Sequence, residues 1–132
     1  MEENLKDMDF GYFIGQVVTG VNTDEHAPLV IQFEKGSLIV ECPWRLCRNN
    51  EIILGETDCI SAPDKFTYKE IYKIIGKKKI VGIDNFMGRF FVITFEDQII
   101  FELFHASSYF EGWNLIGDNG FGLFTIPGGE YA

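Results

Sequence analysis

Leu29, Ile31 and Phe33 alternate with Val30, Gln32 and Glu34, a period of two that predicts a half-buried strand. The same texture returns at Val92-Ile93-Thr94-Phe95-Glu96, 62 positions on. Leu38-Ile39-Val40-Glu41 aligns with Ile99-Ile100-Phe101-Glu102 at an offset of 61. The two tryptophans lie 69 apart in one shared pattern: Trp44-x-Leu46-x-x-Asn49-Asn50-x-Ile52-x-Leu54 reads again as Trp113-x-Leu115-x-x-Asp118-Asn119-x-Phe121-x-Leu123. The chain is thus predicted to be an internal duplication, with repeats over about 14–55 and 75–126. On this alignment the second repeat carries eight extra residues ahead of its Trp. Glu34-Lys35-Gly36-Ser37, Asn49-Asn50 and Asp118-Asn119-Gly120 carry turn chemistry, so neighbouring strands are expected to pair as antiparallel hairpins, about five to each half.

One segment has helical period instead. Tyr68, Ile71, Tyr72 and Ile75 fall at i, i+3, i+4 and i+7. Thr67 stands ready as N-cap, with Glu70 three residues later and Phe66 and Ile71 spaced as a hydrophobic staple. Gly76 and the run Lys77-Lys78-Lys79 close it as the helix dipole favours. The expected fold is therefore α+β, mainly β: duplicated antiparallel sheets forming a sandwich or a partly open barrel, in a single domain over 1–132. A linker and helix over 61–75, with the helix itself at 67–75, joins the halves.

Composition narrows the function. The first 64 residues hold twelve acids against four bases, while residues 65–132 hold eight against seven, together the net charge of −9. Nucleic-acid binding needs clustered Lys or Arg, which this balance opposes. No apolar run is long enough to span a bilayer, and Met1-Glu2-Glu3 does not look like a signal peptide, so a cytoplasmic protein is expected. The three cysteines read as reduced, buried side chains, because Cys42 and Cys47 lack a second pair to make a zinc site.

No phosphate loop, dinucleotide fingerprint, nucleophile elbow or metalloprotease helix is present. No cofactor, metal or catalytic residue is expected, and no enzyme. The weaker enzymatic reading gives His105 the role of general base with an unidentified carboxylate. Glu34 with Glu96 and Glu41 with Glu102 occupy matched positions and read as solvated strand residues. Arg45 follows Trp44 and so faces the other way; it is expected either to pair with Glu41 or to belong to a recognition surface.

Core positions repeat because both halves must fold, so function is sought where the halves diverge. Those places are loop 22–28, Pro43-Trp44-Arg45 and the stretch His105 to Glu111. The candidate partner-binding residues are Asp24, Glu25, His26, Arg45, His105, Tyr109 and Phe110, with aromatic and Arg side chains as the usual interface anchors.

The Phe33-Glu34-x-Gly36-x-Leu38 hairpin, Pro43-Trp44-Arg45-Leu46, Phe95-Glu96, Glu111-x-Trp113-x-Leu115 and the terminal Gly128-Gly129 resemble a family of small, uncharacterised bacterial proteins. The resemblance runs from about Ile14 onward. It implies an immunity-type protein of a toxin system, one that binds and occludes a toxin domain, and it carries no catalytic residues. The expected function is thus non-catalytic: the chain binds and neutralises a protein partner, a basic toxin or nuclease domain. Two alternatives stand beside it: a β-barrel that binds a small ligand, and a structural or regulatory interaction protein. Exposed sheet edges also leave room for a homodimer.

Overall fold

The computed structural model describes residues 9–22, 24, 27–86, 89–108, 112–126 and 130–131. Within them run β1 (Val18–Val21), β2 (Leu29–Phe33), β3 (Gly36–Val40), β4 (Trp44–Arg48), β5 (Glu51–Gly55), α1 (Glu56–Ser61), α2 (Tyr68–Ile75), β6 (Ile80–Phe86), β7 (Phe90–Phe95), β8 (Ile99–Phe104), β9 (Trp113–Gly117), β10 (Gly122–Ile126) and β11 (Glu130–Tyr131). The strands form two antiparallel sheets that do not close into a barrel, as in a sandwich. One sheet is ordered β1-β2-β3-β9-β10-β11 and the other β5-β4-β8-β7-β6.

The two halves exchange strands. β9 and β10 of the second repeat join β3 of the first, while β4 and β5 of the first join β8 of the second. Neither sheet is made by one repeat alone. The inward residues of both sheets form one buried cluster, in which Phe91 of β7 stacks on Trp113 of β9 at 4.0 Å across the sandwich.

The seam between the sheets carries a matched set of hydrogen bonds from the two halves. Val17 and Lys79 form an isolated antiparallel bridge. Around it, Val18 N–H donates to Lys78 O (3.1 Å) and Ile80 N–H to Gln16 O (2.9 Å). Gly15 N–H donates to Ile80 O and Lys77 N–H to Val18 O, both at 2.8 Å. Adding 62 to each residue of the first half, and subtracting 62 from its partner, turns one bond of each pair into the other. The seam is a pseudo-twofold axis written in hydrogen bonds. Glu34 and Glu96 obey it too: their carboxylates accept from Val17 N–H (3.1 Å) and Lys79 N–H (2.9 Å). They cap the seam rather than serving only as solvated strand residues.

Strand pairing corrects the sequence alignment in one place. Ile31 faces Leu38, and its counterpart Ile93 faces Phe101, so β3 matches β8 at an offset of 63 rather than 61. The difference comes from the turns. Two residues, Glu34-Lys35, join β2 to β3, whereas three, Glu96–Gln98, join β7 to β8 with Asp97 and Gln98 at positive φ. A shift of two preserves which face each side chain takes, so the hydrophobic pattern could not register it. Glu102 is therefore the counterpart of Ile39, not of Glu41, and the second half carries 69 − 63 = 6 extra residues before its Trp, not eight.

The helix forms as expected at Tyr68–Ile75, with Ile71 and Ile75 fully buried. Its cap differs in detail: the Thr67 hydroxyl accepts from Lys69 N–H at 3.3 Å, and Glu70 pairs with Lys73 instead of completing a capping box. Gly76 is required by closeness, since a Cβ there would lie 2.6 Å from Tyr72 O. The left-handed residue is the next one, Lys77 at φ 65°, matching Gly15 at φ 91° across the seam. The helix α1 was not anticipated, because Glu56-Thr57-Asp58-Cys59-Ile60-Ser61 is too short to show a stripe. The turn pair Asn49-Asn50 takes positive φ at both residues, as a tight hairpin between twisted strands demands.

Candidate functional site

Alternation along β7 and β8 sends Phe91, Ile93, Phe95, Ile99, Phe101 and Leu103 inward and leaves Phe90 and Phe104 facing out. Register places Phe90 directly opposite both Phe86 and Phe104. The result is a row across the outer face of the five-stranded sheet. Phe86 stacks on Phe90 at 5.4 Å, Phe90 on Phe104 at 5.1 Å, and the Arg45 guanidinium lies 4.7 Å above the Phe104 ring. Phe86, at the open end, is 53% exposed.

Arg45 is held at the other end by Glu102, its cross-strand neighbour. The Glu102 carboxylate also accepts from the Cys47 thiol at 3.5 Å. The hydrogen bond and charge of Glu102 raise the Arg45 pKa further, so the guanidinium stays charged. The expected alternative partner, Glu41, lies elsewhere: it is the counterpart of Phe104, and its N–H donates to Gly112 O at 2.7 Å.

A second feature lies on the inner side of the same strand. Trp44, Glu56, Cys59, Ile60 and Tyr68 line an open hollow of about 250 Å³ between β4, α1 and α2. Burial raises the Glu56 carboxyl above its usual range, and it forms no ion pair with a Lys or Arg among the described residues. Nearby, burial pushes the Cys42 thiol up to about 12, with the Glu56 charge adding to it against an opposing backbone hydrogen bond at Phe104, so it stays protonated and unreactive.

The expected site residues scatter. Asp24 is exposed, and its carbonyl accepts from Ala27 N–H at 3.1 Å in a loop that Asn22 clamps through Pro28 O (2.7 Å) and Val30 N–H (2.7 Å). Glu25, His26, Tyr109 and Phe110 lie outside the described residues. His105 follows Phe104, is partly buried against Gly112, and donates its N–H to Arg89 O at 2.8 Å. Arg45 covers Phe104, whereas the ring of the next residue, His105, lies against Gly112. Sequence reasoning missed Phe86, Phe90 and Phe104 and read Glu102 as a solvated strand residue rather than the partner of Arg45; three phenylalanines at outward strand positions are a signal once the register is known.

Among the described residues no group of three His, Cys, Asp or Glu side chains is placed to share a metal ion, and no helix is long and apolar enough to cross a membrane. Comparison with known protein families, curated proteins and solved structures gave no match.

Proposed function

We propose that the protein is a non-catalytic binding module of the immunity type, which occludes a basic toxin or nuclease domain. The observation that carries this reading is the Phe86-Phe90-Phe104-Arg45 row. Stacked aromatics ending in a pre-paired Arg are costly to leave facing water and are the residue types that anchor interfaces. A net charge of −9 favours a basic partner and speeds its approach at low salt. A cytoplasmic location fits such a role.

The experiment is capture from native lysate at low salt with the wild-type chain and with a Phe86→Ala/Arg45→Ala variant in parallel. The expected result is a basic domain, inactive while bound, that salt releases from the wild type and that the variant fails to retain. Equal retention by both would remove the aromatic row from the interface.

The small-ligand reading changes form. The sheets do not close into a barrel, so such a reading would rest on the hollow beside Trp44 rather than on a barrel lumen.

A further inference from the structure

The two repeats differ sharply at one matched position. Arg45 faces Gly55 and Asn114 faces Phe124, so β4-β5 matches β9-β10 at an offset of 69 and Glu56 is the counterpart of Thr125. Thr125 is fully buried. Its hydroxyl accepts from Trp113 N–H (2.6 Å) and Gly112 N–H (3.1 Å) and donates to Trp113 O (2.9 Å). That side chain seals the corner around Trp113. In the first repeat the longer, charged Glu56 stands beside Trp44, and the corner opens into the hollow.

The lining selects among ligand classes. An anion would meet the Glu56 carboxylate and be repelled. A neutral apolar ligand would bury that carboxylate further without a partner, which is costly. An organic cation does the opposite: it neutralises a carboxylate that forms no ion pair with a described Lys or Arg, and it gains cation–π attraction from aromatic walls. Trp44 and Tyr68 are the aromatic residues of the lining, Trp44 itself almost wholly buried, with the exposed Ile60 at the rim to cover a short alkyl chain. A space of about 250 Å³ is roughly eight water volumes, enough for a butylamine-sized group. Four of the five lining residues, all but Tyr68, come from the acidic half of the chain.

We propose that the hollow lined by Trp44, Glu56, Cys59, Ile60 and Tyr68 is a binding site for an alkylammonium group. This inference stands apart from the protein-binding reading, since it uses the inner side of β4 and none of the outward row.

The test uses the molecule's own control. The chain has two tryptophans, so a proton–nitrogen spectrum shows two indole N–H signals, assigned with Trp44→Phe. Butylammonium chloride is titrated against sodium chloride at equal ionic strength and against 1-butanol. The Trp44 signal is expected to shift and saturate at a Kd on the order of millimolar, while the Trp113 signal stays still. Glu56→Gln should weaken binding at least about tenfold, a loss typical of a desolvated charge pair. Ile60→Lys, an exposed change that spares the fold, should also weaken it by setting an ammonium at the mouth.

The same titration with Nα-acetyl-lysine N-methylamide separates two sources of the group. Tighter binding than butylammonium assigns the site to a lysine side chain, and weaker binding assigns it to a free amine. The proposal is overturned if Trp44 does not shift, if 1-butanol shifts it equally, if both tryptophans move together, or if Glu56→Gln binds as wild type does.

Discussion

The corners around Trp113 and Trp44 occupy matched positions in the two halves and do opposite things. At Trp113 the indole is fully buried, stacked on Phe91, and locked at its backbone by the Thr125 hydroxyl. At Trp44 the indole tilts against Phe101 at 5.8 Å, and the residue lines a hollow that also holds a half-buried carboxylate. The outer faces diverge in the same sense. Phe86, Phe90 and Phe104 on one sheet stand where the other has Asp24, Pro28 and Glu41, and the Arg45–Glu102 pair stands where the other has Asn114 and Ile39. One corner keeps the work of holding the fold together, which frees the other to carry groups that a fold does not need.

The largest test of that contrast is truncation of each indole. Trp113→Ala should cost about 3–5 kcal/mol in urea denaturation, a large share of the 5–15 kcal/mol that typically holds a domain. Trp44→Ala should cost at least about 1 kcal/mol less, because a hollow already borders it and less packing is lost. Equal losses would mean the two corners are energetically the same. Next comes Thr125→Val, which keeps the shape but strands buried backbone groups of Gly112 and Trp113. It should cost about 1–3 kcal/mol by the same measurement, and a neutral result would remove the latch.

The seam offers a smaller test, because its matched residues differ in tolerance for positive φ. Gly15→Ala should destabilise by about 1 kcal/mol, whereas Lys77→Gly should change stability by only a few tenths or raise it. Similar losses at both positions would contradict the equivalence. The smallest effect concerns Glu56. Its folded pKa is raised, so the unfolded chain ionises first, and the native state loses stability as pH rises from the unfolded pKa through the folded one. Gln cannot ionise. Glu56→Gln should therefore match wild type in acid and gain roughly a degree or two in Tm above the carboxylate range, solvent screening keeping it small. A gap that is constant with pH would assign the effect to packing. The neighbouring Cys42 thiol, pushed up to about 12, does not ionise in that range.

Strands, turns and the main helix were legible because each has a local cause. Period two gave β2, β3, β7 and β8; Asn49-Asn50 gave a turn that needs positive φ twice; Thr67 and the Tyr68–Ile75 stripe gave α2. The exchange of strands was not legible, since β3–β9 and β4–β8 pairings join residues far apart in the chain. The same ignorance hid the site. Arg45 could be recognised as outward-facing, but its partner could not be named without knowing that β8 lies beside β4. The phenylalanine row needed three strands in register before it became a row.

Strand exchange also sets a timetable for synthesis. A nascent chain that has emerged only through β5 holds the hairpins β2-β3 and β4-β5, but β4 has no neighbour on its second edge until β8 follows, and β3 waits longer still, for β9. Pairing over such separations is slow, and open strand edges attract other chains while they wait. The first half cannot settle before most of the second exists. Ribosome pausing between β5 and β8 would therefore prolong the period in which this protein is most prone to aggregate.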